Sequence, residues 1–379
     1  MMPGPLHGLE VTELAGLGPA PFCGMVLADL GATVVKIDRI GGGGLFTDSP
    51  HDVLDRGKQA VALDLKEPEG REVVLRCVAR SEVLIEGFRP GVTERLGIGP
   101  AECLARNPSL VYARMTGWGQ DGPLAGRAGH DIDYIALSGA LHPIGPSERP
   151  VPPLNLVADF GGGGMLLAVG VLAAVTHARA TGEGQVVDTS MVEGSALLTA
   201  SHHGFIADGW WVPERESNLL DGAAPFYTTY ETSDGGHVAV GALEPQFFAE
   251  LIAGLGLSPG EVGAQNDREA WPAMRWLFAD RFAARSRDDW AEHFAGSDAC
   301  VAPVLSLVEA PEHPHNRDRG TFIQVGGAVQ PAPAPRFQVT ATGTPRPAEP
   351  AGASTDRVLD RLGFSPDEIG RLRSSGAVA

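Results

Sequence analysis

The first 115 residues alternate short apolar runs with helical patterns, and this alternation limits the possible folds more than any other feature of the chain. Leu9 to Leu14, Thr33 to Ile37, Ala60 to Leu63, Val83 to Ile85 and Leu110 to Ala113 read as buried strands. Between them Pro19 to Leu30, Pro68 to Ala79 and Pro100 to Ala105 read as helices. Each opens on a proline, whose missing N–H is no loss in a first helical turn. Strands separated by helices of this length imply βαβ units and a parallel sheet, so a doubly wound α/β domain is expected.

The remainder divides less evenly. Met115 to Gly129 is glycine-rich and aperiodic, which reads as a long loop leading into a helix near Ile132 to Ala140. Gly162 to Arg179 reads as a helix, Gln185 to Asp188 as a strand and Met191 to Ala207 as a further helix. Pro225 to Glu231 and His237 to Val240 flank SDGG, a hairpin signal built on an Asp-Gly turn. Helices resume at Pro245 to Leu255, Trp271 to Ala284 and Arg287 to Phe294. The expected division is a large domain over 1–190, a linker helix over 191–222 and a small α+β domain over 223–330. Pro331 to Ala353 reads as an extended segment and Ser365 to Ser374 as a last helix, so 331–379 is expected to complete the large domain.

Composition excludes several functions. A formal charge of −18, with basic residues spread singly, disfavours nucleic acid and anionic membrane surfaces. MMPGPLHGLE lacks the basic-then-apolar order of a signal peptide. The longest apolar run, Phe160 to Val175, contains five glycines and falls short of the roughly 20 residues that span a bilayer. Cys23, Cys77, Cys103 and Cys300 lie far apart, as reduced cytoplasmic thiols do, and offer no zinc-binding pattern; no metal site is expected.

Three sets of residues invite chemistry. AGLGPAP, with Asp38 lying 22 residues after Gly16, superficially matches a dinucleotide fingerprint, but Pro21 replaces its third glycine. A glycine-rich turn before a helix accounts for it as well. His130 and Asp131 end the glycine-rich loop, and Asn155 and Asp159 precede four glycines at a helix start. A histidine and a carboxylate converging there suit base and acid on opposite faces of a carbon, whereas N-cap roles for Asp131 and Asp159 and a loop role for His130 are the structural alternatives. The glycines would let a ligand or another backbone come close. Finally, Arg39, Lys58, Lys66, Arg89 and Arg95 flank strand ends, where open α/β sheets bind ligands, and suggest an anionic, phosphate-bearing one. Only three of the basic residues are lysines, and all three fall in this first domain.

The segments LEVTELAGLGPAPFCGMVLADLGATVVKIDR, RGKQAVALDLK, VLIEGFRPGVTERLG, ARMTGWGQDGP, GHDIDYIALSG, RPVPPLNLVADFGGGGM and GQVVDTSMVEG resemble the α-methylacyl-CoA racemase family, within the family III CoA-transferase superfamily. The similarity runs to about residue 340 and departs only between Ile40 and Asp55. It implies a Rossmann-like large domain that binds CoA, a smaller domain, and two chains interlocked as a homodimer. Position by position, it implies catalytic roles for His130 and Asp159, with Glu244 pairing with the histidine and Asn155 in the same cluster. CoA contacts are implied at Leu17, Arg39, Leu63, Leu65, Lys66, Arg89, Arg95, Asp131 and Tyr134.

The implied reaction inverts C2 of a 2-methyl-branched acyl-CoA thioester through an enolate, with backbone N–H groups around Asp131 as candidates to hold the enolate oxygen. CoA belongs to the substrate, and no separate cofactor is expected. The alternative is a family III CoA transferase in which Asp159 attacks the thioester and forms a covalent intermediate. The histidine of GHD, together with Asn155 and Glu244, favours racemisation.

Overall fold

The computed structural model describes residues 4–42, 49 and 51–379, and the chain divides into two compact units. The first comprises Met1–Ser138, Leu154–Leu198 and Pro314–Ala379, and the second Gly139–Pro153 and Thr199–His313. Half of the glycine run 41–44 and part of the loop that departs from the resembled family, at 43–48 and 50, lie outside the described residues, as do 1–3.

In the first unit β1 (Glu10–Leu14), α1 (Pro19–Asp29), β2 (Thr33–Arg39), β3 (Gln59–Leu63), α2 (Pro68–Val78) and β4 (Val83–Glu86) follow the expected alternation. They continue through α3 (Val92–Arg95), α4 (Pro100–Arg106), β5 (Val111–Thr116) and, after the glycine-rich loop, α5 (Asp131–Leu137). A π-helical segment (Leu156–Met165) runs directly into α6 (Leu166–Thr181), followed by β6 (Gln185–Ser190) and α7 (Met191–Leu198). All six strands are parallel, in the order β3-β2-β1-β4-β5-β6. Strands covered on both faces read as unbroken apolar runs, and β4 and β5 are buried at every residue. Strand order reverses between β1 and β4, which opens a crevice beyond their carboxyl ends, at Ala15 and Gly87.

The helices Thr355–Arg361 and Pro366–Ser374 return to this unit, and Val358, Leu359, Phe364 and Leu372 join Leu63, Val73 and Val78 in its core. The C-terminus lies along the otherwise open edge of β3, with Asp64 N–H donating to Ala377 O at 3.0 Å and Ala379 N–H to Ala62 O at 3.1 Å.

Leu156–Thr181 forms one continuous helix of 26 residues, long and apolar enough by length and composition to cross a membrane. The apolar run read from the sequence is therefore the middle of a longer element. This helix packs against α1, α7, β5 and β6. Its glycines serve that packing. A Cβ on Gly162 would stand 2.6 Å from Ser195 N, one on Gly163 2.7 Å from Ala158 O, and one on Gly164 2.6 Å from Pro19 O. Of the two occupants expected beside the glycines after Asp159, a ligand or another backbone, it is protein backbone that approaches these three.

Backbone comes closer still at Gly194, whose added Cβ would lie 1.8 Å from Gly162 O. Neither backbone can yield locally, so Gly194→Ala is expected to separate α7 from the π-helical segment. Thermal unfolding should register a loss of about 1–3 kcal/mol, the usual range for overpacking.

The second unit holds an antiparallel sheet in the order β7 (Tyr227–Glu231), β8 (His237–Gly241), β9 (Val301–Pro303). The helices Pro245–Gly254, Trp271–Phe282 and Arg287–Phe294 supply Phe248, Leu251, Phe278, Phe282 and Trp290 to its core. The helix expected over Met191 to Ala207 breaks at Thr199, where α7 gives way to Ala200–Ala207.

Candidate active site

Two helix beginnings meet beyond the carboxyl end of the sheet. His130 is the N-cap of α5 in extended conformation, and its backbone N–H donates to Asp133 Oδ2 at 2.9 Å. Asp131 follows at the first helical position. Its carboxylate turns inward, where Oδ2 accepts the backbone N–H groups of Ala158 at 2.7 Å and Asp159 at 2.8 Å. Asp159 therefore sits inside a helix rather than at its cap, and Asp131 is not a cap either: the N-cap alternatives for both are corrected. A π-helix has wide i→i+5 spacing and recurs at functional sites, and nothing in the hydrophobic pattern of LVADFGGGGM distinguishes it from an α-helix.

Asp159 is half-buried and accepts from Asn155 Nδ2 at 3.0 Å. Burial lifts its carboxyl above the ordinary aspartate range, and the Asp131 charge adds to that lift; the Asn155 hydrogen bond and His130 act in the opposite direction. Gly18, at φ 67, faces the same carboxylate, and a Cβ there would stand 3.3 Å from Asp159 Oδ2. Here a glycine does leave room beside a carboxylate. Tyr134 packs edge-on against Trp118 at 4.7 Å between ring centroids and donates to Gly129 O at 2.5 Å. Burial pushes its phenol up to about 12, with Asp159 adding to the rise and Arg89 opposing it. His130, Asp131, Asn155, Asp159, Tyr134 and Arg89 thus form one neighbourhood.

A second feature adjoins the strand ends, a cleft of about 880 Å³. Leu17, Arg39, Leu63, Leu65 and Lys66 line it, together with Phe88, Val92 and Leu96 after β4 and with Pro347–Ala351. Arg39, Lys66, Arg89 and Arg95 are exposed and enter no ion pair among the described residues. The wall residues Phe88, Val92, Leu96, Pro347, Ala348, Pro350 and Ala351 escaped the sequence reading because apolar and Pro/Ala residues carry no chemical signature, and Glu349 because it is an isolated acid in a Pro/Ala-rich stretch.

Lys58 does not belong with those free cations. It is buried and bonds Glu13 Oε1 at 2.7 Å, Pro21 O at 3.0 Å and Asp55 Oδ1 at 3.2 Å. Lys36 likewise bridges Asp38, at 2.9 Å, and Asp55. The expectation that Lys58 serves an anionic ligand is corrected, since its ammonium neutralises Glu13 and Asp55, while the Lys36 ammonium is held by Asp38 and Asp55 in the cleft wall. A signal was available in the sequence: Glu13 lies inside an apolar strand, and a charge in such a position needs a partner.

Glu244 lies in the second unit, exposed, as the N-cap of the helix Pro245–Gly254. Among the described residues no group of three or more His, Cys, Asp or Glu side chains is arranged to hold a metal ion.

The model of CoA-transferase family III matches residues 6–355. The chain is 48% identical over 376 residues to α-methylacyl-CoA racemase of Mus musculus, covering 98% of this chain and 97% of the relative. It is 47% identical over 380 residues to α-methylacyl-CoA racemase of Homo sapiens, covering 97% and 96%. A crystal structure of a CAIB/BAIF family protein from Brucella suis superposes with a TM-score of 0.82 at 26% identity, over 95% of this chain and 100% of that one.

Proposed function

The chain belongs to CoA-transferase family III, and from that premise we propose that His130 and Asp159 exchange the C2 proton of a bound acyl-CoA. The protein is a racemase that inverts C2 of 2-methyl-branched acyl-CoA thioesters. The observation that carries the assignment of residues is the junction itself, where a half-buried carboxylate of raised pKa stands beside a histidine at the mouth of a helix.

One group removes the C2 proton, the electron pair moves onto the thioester oxygen, and the other group returns a proton to the opposite face of C2. An aspartate held above its ordinary pKa is a stronger base and a more usable acid alternately, as a reaction that runs in both directions requires. The enolate oxygen needs a donor, and removing one such donor typically costs about 2.7–4 kcal/mol of barrier. As the first helical residue of α5, Asp131 has a backbone N–H without an intrahelical acceptor, and it is our candidate. Asn155 is assigned to hold one oxygen of Asp159 so that the other faces substrate.

The cleft is assigned to the CoA moiety: its apolar walls suit the adenosine and pantetheine, and Arg39 and Lys66 in its lining suit the phosphates, with Arg89 and Arg95 after β4 as further cations outside that lining. We further propose an interlocked homodimer, supported by the exposure of Leu137, Leu154, Leu156, Val169 and Leu197, and a cytoplasmic site of action, supported by four unpaired cysteines. The chemistry uses side chains, backbone and the thioester, and calls for no added cofactor.

Given one enantiomer of a 2-methylacyl-CoA in deuterated water without an acceptor acid, the protein should incorporate deuterium at C2 and yield both epimers. Absence of exchange, together with a hydroxylamine-sensitive adduct on Asp159, would establish the transferase chemistry instead.

A further inference from the structure

We infer that Asp131 is a positioning residue, which fastens the backbone of the segment bearing Asp159 to the start of the helix bearing His130 and so fixes the spacing of the two acid–base groups. The inference rests on the assignment of those two groups above and assigns the Asp131 side chain a task other than touching CoA.

The geometry is specific. Asp131 is buried, and one of its oxygens accepts two consecutive backbone N–H groups, those of Ala158 and of Asp159 itself. Charge-assisted bonds to backbone are the stronger class. One tie therefore links the residue after His130 to the residue that carries the opposing carboxylate. The linkage runs through two peptide units and no flexible side chain other than that of Asp131. The second oxygen, Oδ1, is buried with no hydrogen-bond partner among the described residues. A buried carboxylate with one oxygen unpaired is costly to keep, and its charge also raises the pKa of Asp159. The groups facing Asp159 are His130, Asp131 and Tyr134 from α5 and Asn155 from its own segment.

The test compares Asp131→Asn with Asp131→Glu. Asp131→Asn keeps the size but removes the charge; Asp131→Glu keeps the charge but lengthens the tether by one methylene. A displacement near 1 Å can cost on the order of 10²-fold in rate. Asp131→Glu is therefore expected to lower kcat strongly while leaving KM and the calorimetric Kd for CoA near the parent values. In Asp131→Asn the acidic limb of the kcat/KM profile should move to lower pH, because a charge that raises Asp159 has been removed. Either variant weakening CoA binding with kcat unchanged would overturn the inference and make Asp131 a ligand contact. An unchanged kcat and unchanged pH limb in both folded variants would also overturn it. Asp131→Asn, close to isosteric, guards against a mere folding failure of the longer side chain. Failure of the two-base assignment is distinguished separately, since it would appear as racemisation surviving the loss of His130 or Asp159, whatever Asp131 does.

Discussion

Alanine at His130 or at Asp159 is expected to slow racemisation by about 10²–10⁴-fold, the usual worth of a positioned acid–base group, while CoA binding survives. Binding should persist because the cleft lining is made by other residues. The two variants should differ in a diagnostic way. Each keeps one of the two groups, and that group can still take the C2 proton of the enantiomer it faces and return a solvent deuteron to the same face. Each variant should therefore wash deuterium into one enantiomer without inverting it, and the preferred enantiomer should be opposite in the two. Proton magnetic resonance of C2 during incubation of each enantiomer in deuterated water reads both quantities. The same preferred enantiomer for both variants, or racemisation at the parental rate in either, would sink the two-base assignment.

The parallel sheet was legible in the sequence because a strand covered on both faces must be apolar along its length, and a crossover of suitable length then decides its direction. The strands and helices expected over 9–113 accordingly match β1 to β5 and their connecting helices to within a few residues. The short helix α3 and the strands Val301–Pro303, Phe322–Val325 and Ala328–Pro331 were not legible. Runs of three or four residues carry too little periodicity, and their pairing comes from elsewhere in the chain. The π-helical start of the long helix was hidden for another reason. Its register answers to Asp131, 27 residues before Ala158, and to the backbone of α7, neither of which leaves a mark on LVADFGGGGM.

His130 and Asp159 stood out because charged or titratable residues beside glycines are chemically conspicuous. The inward turn of Asp131 was not legible, since an aspartate after a loop histidine reads equally as a cap or a contact. The free cations were partly legible: position at strand ends picked out Arg39, Lys66, Arg89 and Arg95 but could not separate them from Lys58, whose amine turns inward to Glu13.

That buried pair gives the largest expected effect on stability. Lys58 and Glu13 are both fully enclosed, and the wall is tight: a Cβ on Gly24 would stand 1.7 Å from Glu13 Oε2. Removing one partner of such a pair usually costs about 3–5 kcal/mol, because the other charge is left unpaired in a low-dielectric interior. Lys58→Met is expected to reach that range above neutral pH.

The pH dependence has a definite sign. Burial, partly opposed by Lys58, pushes Glu13 up to about 7 from its ordinary value of 4.5. A raised folded pKa favours the protonated folded state, so this contribution is full below the unfolded value and is lost as pH rises through the folded one. In the parent it is lost between 4.5 and about 7. Without Lys58 the folded pKa rises further, so the variant goes on losing stability at pH values where the parent has levelled off. The difference in thermal midpoint between parent and Lys58→Met should therefore be small near pH 5 and widen toward about pH 8.5, with the slope set by one proton. A gap independent of pH would show that the loss comes from packing of the lysine stem alone and that Glu13 does not depend on Lys58 for its charge.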